Sequence, residues 1–311
     1  MRPVPSRPLH TYSIVAHDPV SAQIGVAVQS HAFAIGSAVP WAEAGVGAVA
    51  TQSLTRIDYG PRGLALMRMG LSAPQALAVL LEGDEGRDVR QVAMVDADGN
   101  VAAHTGSRCI AEAGHLTGDG FSVQANLMLD RSVWPAMKEA YEAAEGDLAD
   151  RMITALEAAQ TSGGDIRGEQ SAALVVVSAE RGDQPWDGRL FELRVEDHQH
   201  PVAELRRLAQ LQRAYRYADR AEELIAASNI EDAMHALARA TALAPDVTEL
   251  RFWFAAALFT AGEEEQALQM FRDIFEKEPV WATVAPRLVP LGLLPDDPEA
   301  MRRILGQRAG S

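Results

Sequence analysis

The chain has 311 residues, 48% of them hydrophobic, and a formal net charge of −15. That length and apolar share suffice for one large or two ordinary buried cores, while the acidic balance, the absence of any basic run and a lysine complement of Lys138 and Lys277 alone exclude a phosphate-neutralising nucleic-acid surface. Nothing approaches the roughly 18 apolar residues of a membrane span and the leader lacks the apolar centre of a secretory signal, so no membrane partner and a cytoplasmic location are expected. Cys109 is the sole cysteine, which excludes an internal disulfide or a CxxC motif and reads as strand packing.

Pro3, Pro5 and Pro8 hold the backbone extended, so residues 1–10 read as a flexible leader. "TYSIVA" (11–16), "QIGVAVQS" (23–30) and "GVGAVATQS" (45–53) read as three strands, separated by turn signals at Asp18-Pro19 and Gly36. Leu64, Met67 and Leu71, then Leu77, Leu80 and Leu81, recur at helical spacing, and Pro61, Ser72 and Pro74 divide them into two helices. Asp98-Gly99 between apolar runs marks a hairpin, and "HLTGDGFSVQANLML" continues the sheet. From Ser132, a candidate N-cap, to about Gln160 the pattern is a helical hairpin ended by Gly163-Gly164. "QSAALVVVSAE" then reads as a strand buried on both faces, with "RLFELRVED" as its neighbour.

After "HQHP" the composition turns to Ala, Leu, Glu and Arg in helical periodicity, which sets a domain boundary near Pro201 and a helical domain over 201–311. Ala233, Leu237, Ala240 and Pro245 recur 34 residues later as Ala267, Phe271, Ile274 and Pro279; Ala221 maps to Ala255 and Leu224 to Leu258. This period resembles the tetratricopeptide repeat, with two copies at about 214–247 and 248–281, although Arg251 stands where the first copy has Tyr217. Two repeats are fewer than such stacks need alone, so they must pack on the final segment, where Asp297-Pro298 starts a short helix, on the preceding domain, or on a second copy of the chain.

The chemistry centres on Thr11. A threonine hydroxyl becomes a nucleophile when its own α-amine, titrating at about 8, serves as the base, which requires Thr11 to be the first residue of the mature chain. The competing reading is a β-favouring residue at a strand start. No cofactor or metal is needed: "GVGAVA" around Gly45 and Gly47 leads into a strand, unlike a dinucleotide loop, and His17, His31, His104 and His115 lack metal-binding helical spacing.

The threonine-led strand, the Asp18 turn and the following strand resemble the opening of N-terminal nucleophile (Ntn) hydrolases. More narrowly, "TYSIVAHDP", "GVAVQSHAFAIGSAVPWAEAGVGAVATQS", "YGPRGL", "RQVAMVDADGNVAAHTG" and "GGDIRGEQSAALVVV" resemble a bacterial family, domain of unknown function 1028, across residues 11–200. The resemblance implies an α+β fold, a four-layer αββα sandwich, ahead of the all-α repeat domain. It implies Thr11 as nucleophile, with Gln29, Ser30, Thr51, Gln52 and backbone amides near Gly47 as candidate oxyanion donors. Asp18, Asn126, Asp165, Arg167 and Ser171 are candidates to orient the amine or bind substrate; Tyr59, in "YGPRGL", and His104, at a strand end, are further pocket candidates. For Asp18 the bland alternative is an Asx turn, and for Asp165 a turn with Arg167 as its surface partner. The lysine that proteasome-like relatives place beside the threonine has no counterpart in the first hundred residues. Two functions compete: an amidohydrolase acting on an amide, cyclic imide or short peptide, and a non-catalytic ligand- or peptide-binding protein. A homo-oligomer, and a protein partner through the repeats, are expected with either.

Overall fold

The computed structural model describes residues 10–184 and 186–307, so of the expected leader only His10 lies within the described residues. The first unit runs β1 (Thr11–His17), β2 (Ile24–Ser30), β3 (Pro40–Glu43), β4 (Gly47–Ser53), α1 (Tyr59–Arg68), α2 (Ala73–Glu82), β5 (Arg90–Asp96), β6 (Val101–Thr105), β7 (Gly114–Gly118), β8 (Phe121–Ala125), α3 (Val133–Ala143), α4 (Leu148–Thr161), β9 (Ser171–Val177) and β10 (Arg189–Val195). The opening therefore holds four strands where three were expected. The addition, β3, is four residues long and begins on a proline, which fits the edge position it occupies.

All pairings are antiparallel, in a six-stranded sheet of order β10-β9-β2-β1-β8-β7 and a four-stranded sheet of order β3-β4-β5-β6. Side chains alternate across each strand, and the alternation defines the layers. Tyr12, Ile14 and Ala16 of β1 and Phe121 and Val123 of β8 pack under α3 and α4. Val15, Val26, Val28, Ala50, Ala93 and Val95 fill the space between the sheets, and Val49, Val92 and Met94 pack under α1 and α2. The result is the expected four-layer αββα sandwich. Local capping agrees with it: Ser72 and Gln75 form a reciprocal capping box on α2, and Asp147 accepts from the Asp150 amide at the start of α4. Ser132 departs from expectation; it has helical backbone and its hydroxyl donates to Asp130, so it does not cap α3.

The second region comprises α5 (Pro201–Ala226), α6 (Ile230–Leu243), α7 (Thr248–Thr260), α8 (Glu264–Lys277), α9 (Trp281–Leu288) and α10 (Pro298–Leu305). The two compact units divide between Ala209 and Gln210, inside α5, although the composition changes at Pro201. The reason is packing: Val202, Leu205 and Ala209 belong to the first unit's core, and Arg206 pairs there with Glu157 and Asp150 of α4. In the second unit the repeat positions Ala221, Ala233, Ala240, Ala255, Ala267, Phe271 and Ile274 are all buried. Tyr217 takes the Arg239 guanidinium on its ring, and 34 residues on Arg251 pairs with Asp273 at the same two positions. A cation over a ring has become an ion pair without moving the contact. Ala282, Ala285 and Leu288 of α9 and Ala300 and Ile304 of α10 join the core that the repeats form, so the final segment supplies cover for this two-repeat stack.

Phe271 is fully buried, with the rings of Phe252 and Phe275 at 5.8 and 5.6 Å. Phe271→Ala is expected to destabilise the helical unit by about 3–5 kcal/mol. Urea unfolding followed by the helical circular dichroism signal checks this, and an unchanged midpoint contradicts it.

Candidate functional site

Thr11 opens β1, a central strand of the larger sheet, and pairs with Ser30 of β2. Alternation puts Thr11, Ser13 and Ser30 on the face toward the second sheet, where the surrounding layer is otherwise apolar. At this end of the layer the strands instead carry Gln52 on β4, Gln91 on β5 and Ser122 and Gln124 on β8, followed by Asn126, all fully buried.

A buried amide without a partner costs about 1–3 kcal/mol, and these side chains satisfy one another. Gln124 Nε2 donates to Ser13 Oγ at 2.6 Å, and Ser13 Oγ donates to Gln52 Oε1 at 2.6 Å. Gln52 Nε2 donates to Gln91 Oε1 at 2.7 Å and to the Thr11 carbonyl at 3.2 Å. Gln91 Nε2 faces three acceptors, Thr105 Oγ1 and the Gly114 and Ala125 carbonyls, so its Oε1 must be met by donors; the second is Asn126 Nδ2, at 3.0 Å. The Thr11 carbonyl also accepts from the Asn126 backbone amide at 3.1 Å. Thr11 is thus anchored through its own carbonyl by the second sheet and by β8.

The other side of Thr11 is held differently. The His10 carbonyl accepts from Ser30 Oγ at 2.5 Å and from Arg167 Nη2 at 3.2 Å. Arg167 is aimed by Asp165, which binds its Nε at 2.9 Å and Nη2 at 2.6 Å and also accepts from the Arg167 and His31 amides. The His10 imidazole is buried, with Nδ1 3.2 Å from Asn126 Oδ1. Two residues with left-handed backbone flank these groups, Ser53 (φ 70) after Gln52 and Leu127 (φ 57) after Asn126. Non-glycine residues adopt that region at a cost and concentrate at functional sites. Leu127 turns the chain so that Met128 bridges to Asp165, which ties the Asp165 loop to the end of β8.

Residues 11–205 match the profile of a family described as "Family of unknown function (DUF1028)". The chain belongs to the DUF1028 family. A crystal structure of a DUF1028 protein from Silicibacter pomeroyi is 31% identical, with a TM-score of 0.57, over 65% of this chain and 88% of that one. Residues 224–285 match a tetratricopeptide repeat profile. No curated protein matches the chain.

Of the residues singled out in the sequence, the DUF1028 domain gathers Thr11, Ser30, Gln52, Asn126, Asp165 and Arg167 around the His10–Thr11 bond. Ser171 pairs with Ser30 on the next strand, but its hydroxyl locks the following loop by donating to the Ala32 carbonyl and accepting from the Ile35 amide. Five candidates lie elsewhere. Asp18 sits beyond the far end of seven-residue β1, about 20 Å away at 3.3 Å per residue; it is the Asx turn, bonded to Ser21 and paired with Arg151. Gln29 pairs with Tyr12 and so faces α4, buried with neither amide atom hydrogen-bonded. Thr51 and His104 both pair with Val92, on the α1–α2 side; Thr51 donates to the Arg56 carbonyl, and His104 Nε2 lies 2.9 Å from the Arg87 carbonyl. Tyr59 bonds Asp84 and the Leu80 carbonyl under α2.

Sequence reasoning missed Ser13, Gln91, Gln124, Thr105, His115 and the part played by His10. The available signal was parity: Thr11 with Ser13, and Ser122 with Gln124 and Asn126, repeat at a spacing of two on the strand face opposite Tyr12 and Phe121. Among the described residues no group of three or more His, Cys, Asp and Glu could hold a metal ion.

Burial holds the His10 imidazole below its ordinary value, with Arg167 adding to this and the Asn126 bond and Asp165 opposing it; burial and then His104 lower His115 in the same way. His115 Nδ1 lies 2.8 Å from Thr105 Oγ1. Between the lowered values and the ordinary value of about 6.5 the unfolded chain binds more protons than the folded one, so stability is lost as pH falls through that window. The urea midpoint is expected to be lower at pH 5.5 than at pH 7.5, and His115→Asn is expected to narrow the difference; a difference unchanged by the substitution contradicts the assignment.

Proposed function

We propose that this protein is an amidohydrolase whose nucleophile is Thr11, unmasked by cleavage of the His10–Thr11 bond. The observation that carries the reading is the His10 carbonyl, which accepts from Ser30 Oγ and Arg167 Nη2 next to a hydroxyl-bearing residue. Those donors are where an oxyanion would need them. Thr11 Oγ attacks the His10 carbonyl carbon through a five-membered ring, and the negative charge develops toward Ser30 and Arg167. The C–N bond then breaks as the hydroxyl proton passes to the departing nitrogen, leaving an ester on Oγ and a free α-amine on Thr11. Water hydrolyses the ester and releases the leader with His10 as its carboxyl end. The amine then takes up the Thr11 hydroxyl proton when an external amide, cyclic imide or short peptide is attacked, and returns it to the leaving nitrogen.

The Thr11 carbonyl keeps its Gln52 and Asn126 donors throughout, so loss of the leader need not move the nucleophile. A non-catalytic binding protein on the same scaffold is favoured by one fact, that Thr11 is fully buried in the uncut chain; in the hydrolase reading the loss of residues 1–10 opens the site. For the helical unit we infer a protein-binding role, supported by its match to the tetratricopeptide repeat profile.

Intact mass and N-terminal sequencing of the purified protein are expected to find Thr11 as the first residue. Ser30→Ala is expected to slow the cleavage by about 10²–10³, and Thr11→Ala to retain the leader and lose amide turnover. Full turnover by uncut protein or by Thr11→Ala contradicts the proposal.

A further inference from the structure

In the uncut chain His10 occupies the place that an acyl group takes during turnover. The ester formed by transfer of the His10 carbonyl from Thr11 N to Thr11 Oγ is chemically the acyl-enzyme of any substrate whose acyl residue is histidyl. The enclosure around His10 is therefore a template of the acyl subsite, and its polarity can be read from the hydrogen bonds.

Gln91 Nε2 is committed to the Gly114 and Ala125 carbonyls and to Thr105 Oγ1, which turns Gln91 Oε1 toward Asn126 Nδ2. Asn126 therefore presents Oδ1, an acceptor, to His10 Nδ1 at 3.2 Å, and the imidazole must donate there. A donor at that point is attached to the γ-carbon of the acyl residue. Histidine carries one as Nδ1–H, and asparagine carries one at the equivalent atom, Nδ2. Leucine has the same branching without a donor, and aspartate would set a carboxylate oxygen against Asn126 Oδ1.

Resting on the nucleophile reading above, we propose that the acyl subsite selects amides whose acyl residue bears a neutral N–H donor on its γ-carbon, histidyl and asparaginyl groups, with Asn126 Oδ1 as the specificity-determining acceptor. The subsite rejects leucyl groups because Asn126 Oδ1 is left buried without a partner, and aspartyl groups because two acceptors meet.

Two measurements test this. The first compares cleavage rates of the natural chain with His10→Asn, His10→Leu and His10→Asp chains, all of which yield the same mature protein. His10→Asn is expected to cleave at close to the natural rate, and His10→Leu and His10→Asp at least about fivefold more slowly, the lower end for an unpartnered buried polar group. The second uses mature natural protein and N-acetyl histidine, asparagine, leucine and aspartate anilides, with kcat/KM for the first two expected to exceed that for the others by a similar factor. Equal rates in both measurements overturn the subsite assignment and leave the nucleophile intact. A natural chain that never cleaves overturns the nucleophile reading, and the subsite falls with it.

Discussion

The domain depends on one constraint: a group of fully buried amides and hydroxyls between two β-sheets has no water to turn to, so its members must satisfy each other. Ser13, Gln52, Gln91 and Gln124 come from four strands and two sheets, with Asn126 just beyond β8, and their hydrogen bonds form only in one relative placement of those strands. Apolar packing between the sheets, from Val15, Val26, Ala50, Ala93 and Val95, supplies attraction with little directional demand. The amide network adds the direction, since a shift of one residue would turn every polar side chain to the opposite face.

In the proposed cleavage, the same network keeps Thr11 in place while the bond before it reacts. On the C-terminal side of Thr11, the carbonyl is held by groups that belong to the second sheet and to β8. On its N-terminal side, the His10 carbonyl is met by a hydroxyl from β2 and by a guanidinium that a buried carboxylate aims from the loop before β9. In the proposed cleavage the first set of bonds is kept and the second serves the oxyanion. Left-handed backbone at Ser53 and Leu127 lets the chain leave β4 and β8 beside Gln52 and Asn126, two of the groups that hold Thr11.

Much of the architecture was legible because period-two and helical patterns are strong where one face is buried. Residues 11–17, 24–30 and 171–177 are apolar enough to announce strands, and Asp98-Gly99 announces its hairpin. Edge strand β3 was not legible, being short and led by proline. In the site, Thr11, Ser30, Gln52 and Asn126 were readable as polar residues at or just beyond strand ends near the first threonine. Gln91 and Gln124 were not, because a glutamine within a strand reads as a solvent-facing residue until the second sheet is placed over it. Asp18 and His104 show the converse: residue type suggested chemistry, but position along β1 and parity along β6 put them elsewhere. The helical unit shows a third case, in which a degenerate repeat keeps its geometry while Tyr217–Arg239 gives way to Arg251–Asp273.

The central claim is that the chain itself contains everything needed to break the bond before Thr11. Synthesis of the natural chain in a translation system reconstituted from purified components, followed by intact mass over time at several chain concentrations, tests it most directly. The account predicts first-order loss of residues 1–10 at a rate independent of concentration. A chain that stays whole, or a rate that rises with concentration, would contradict it.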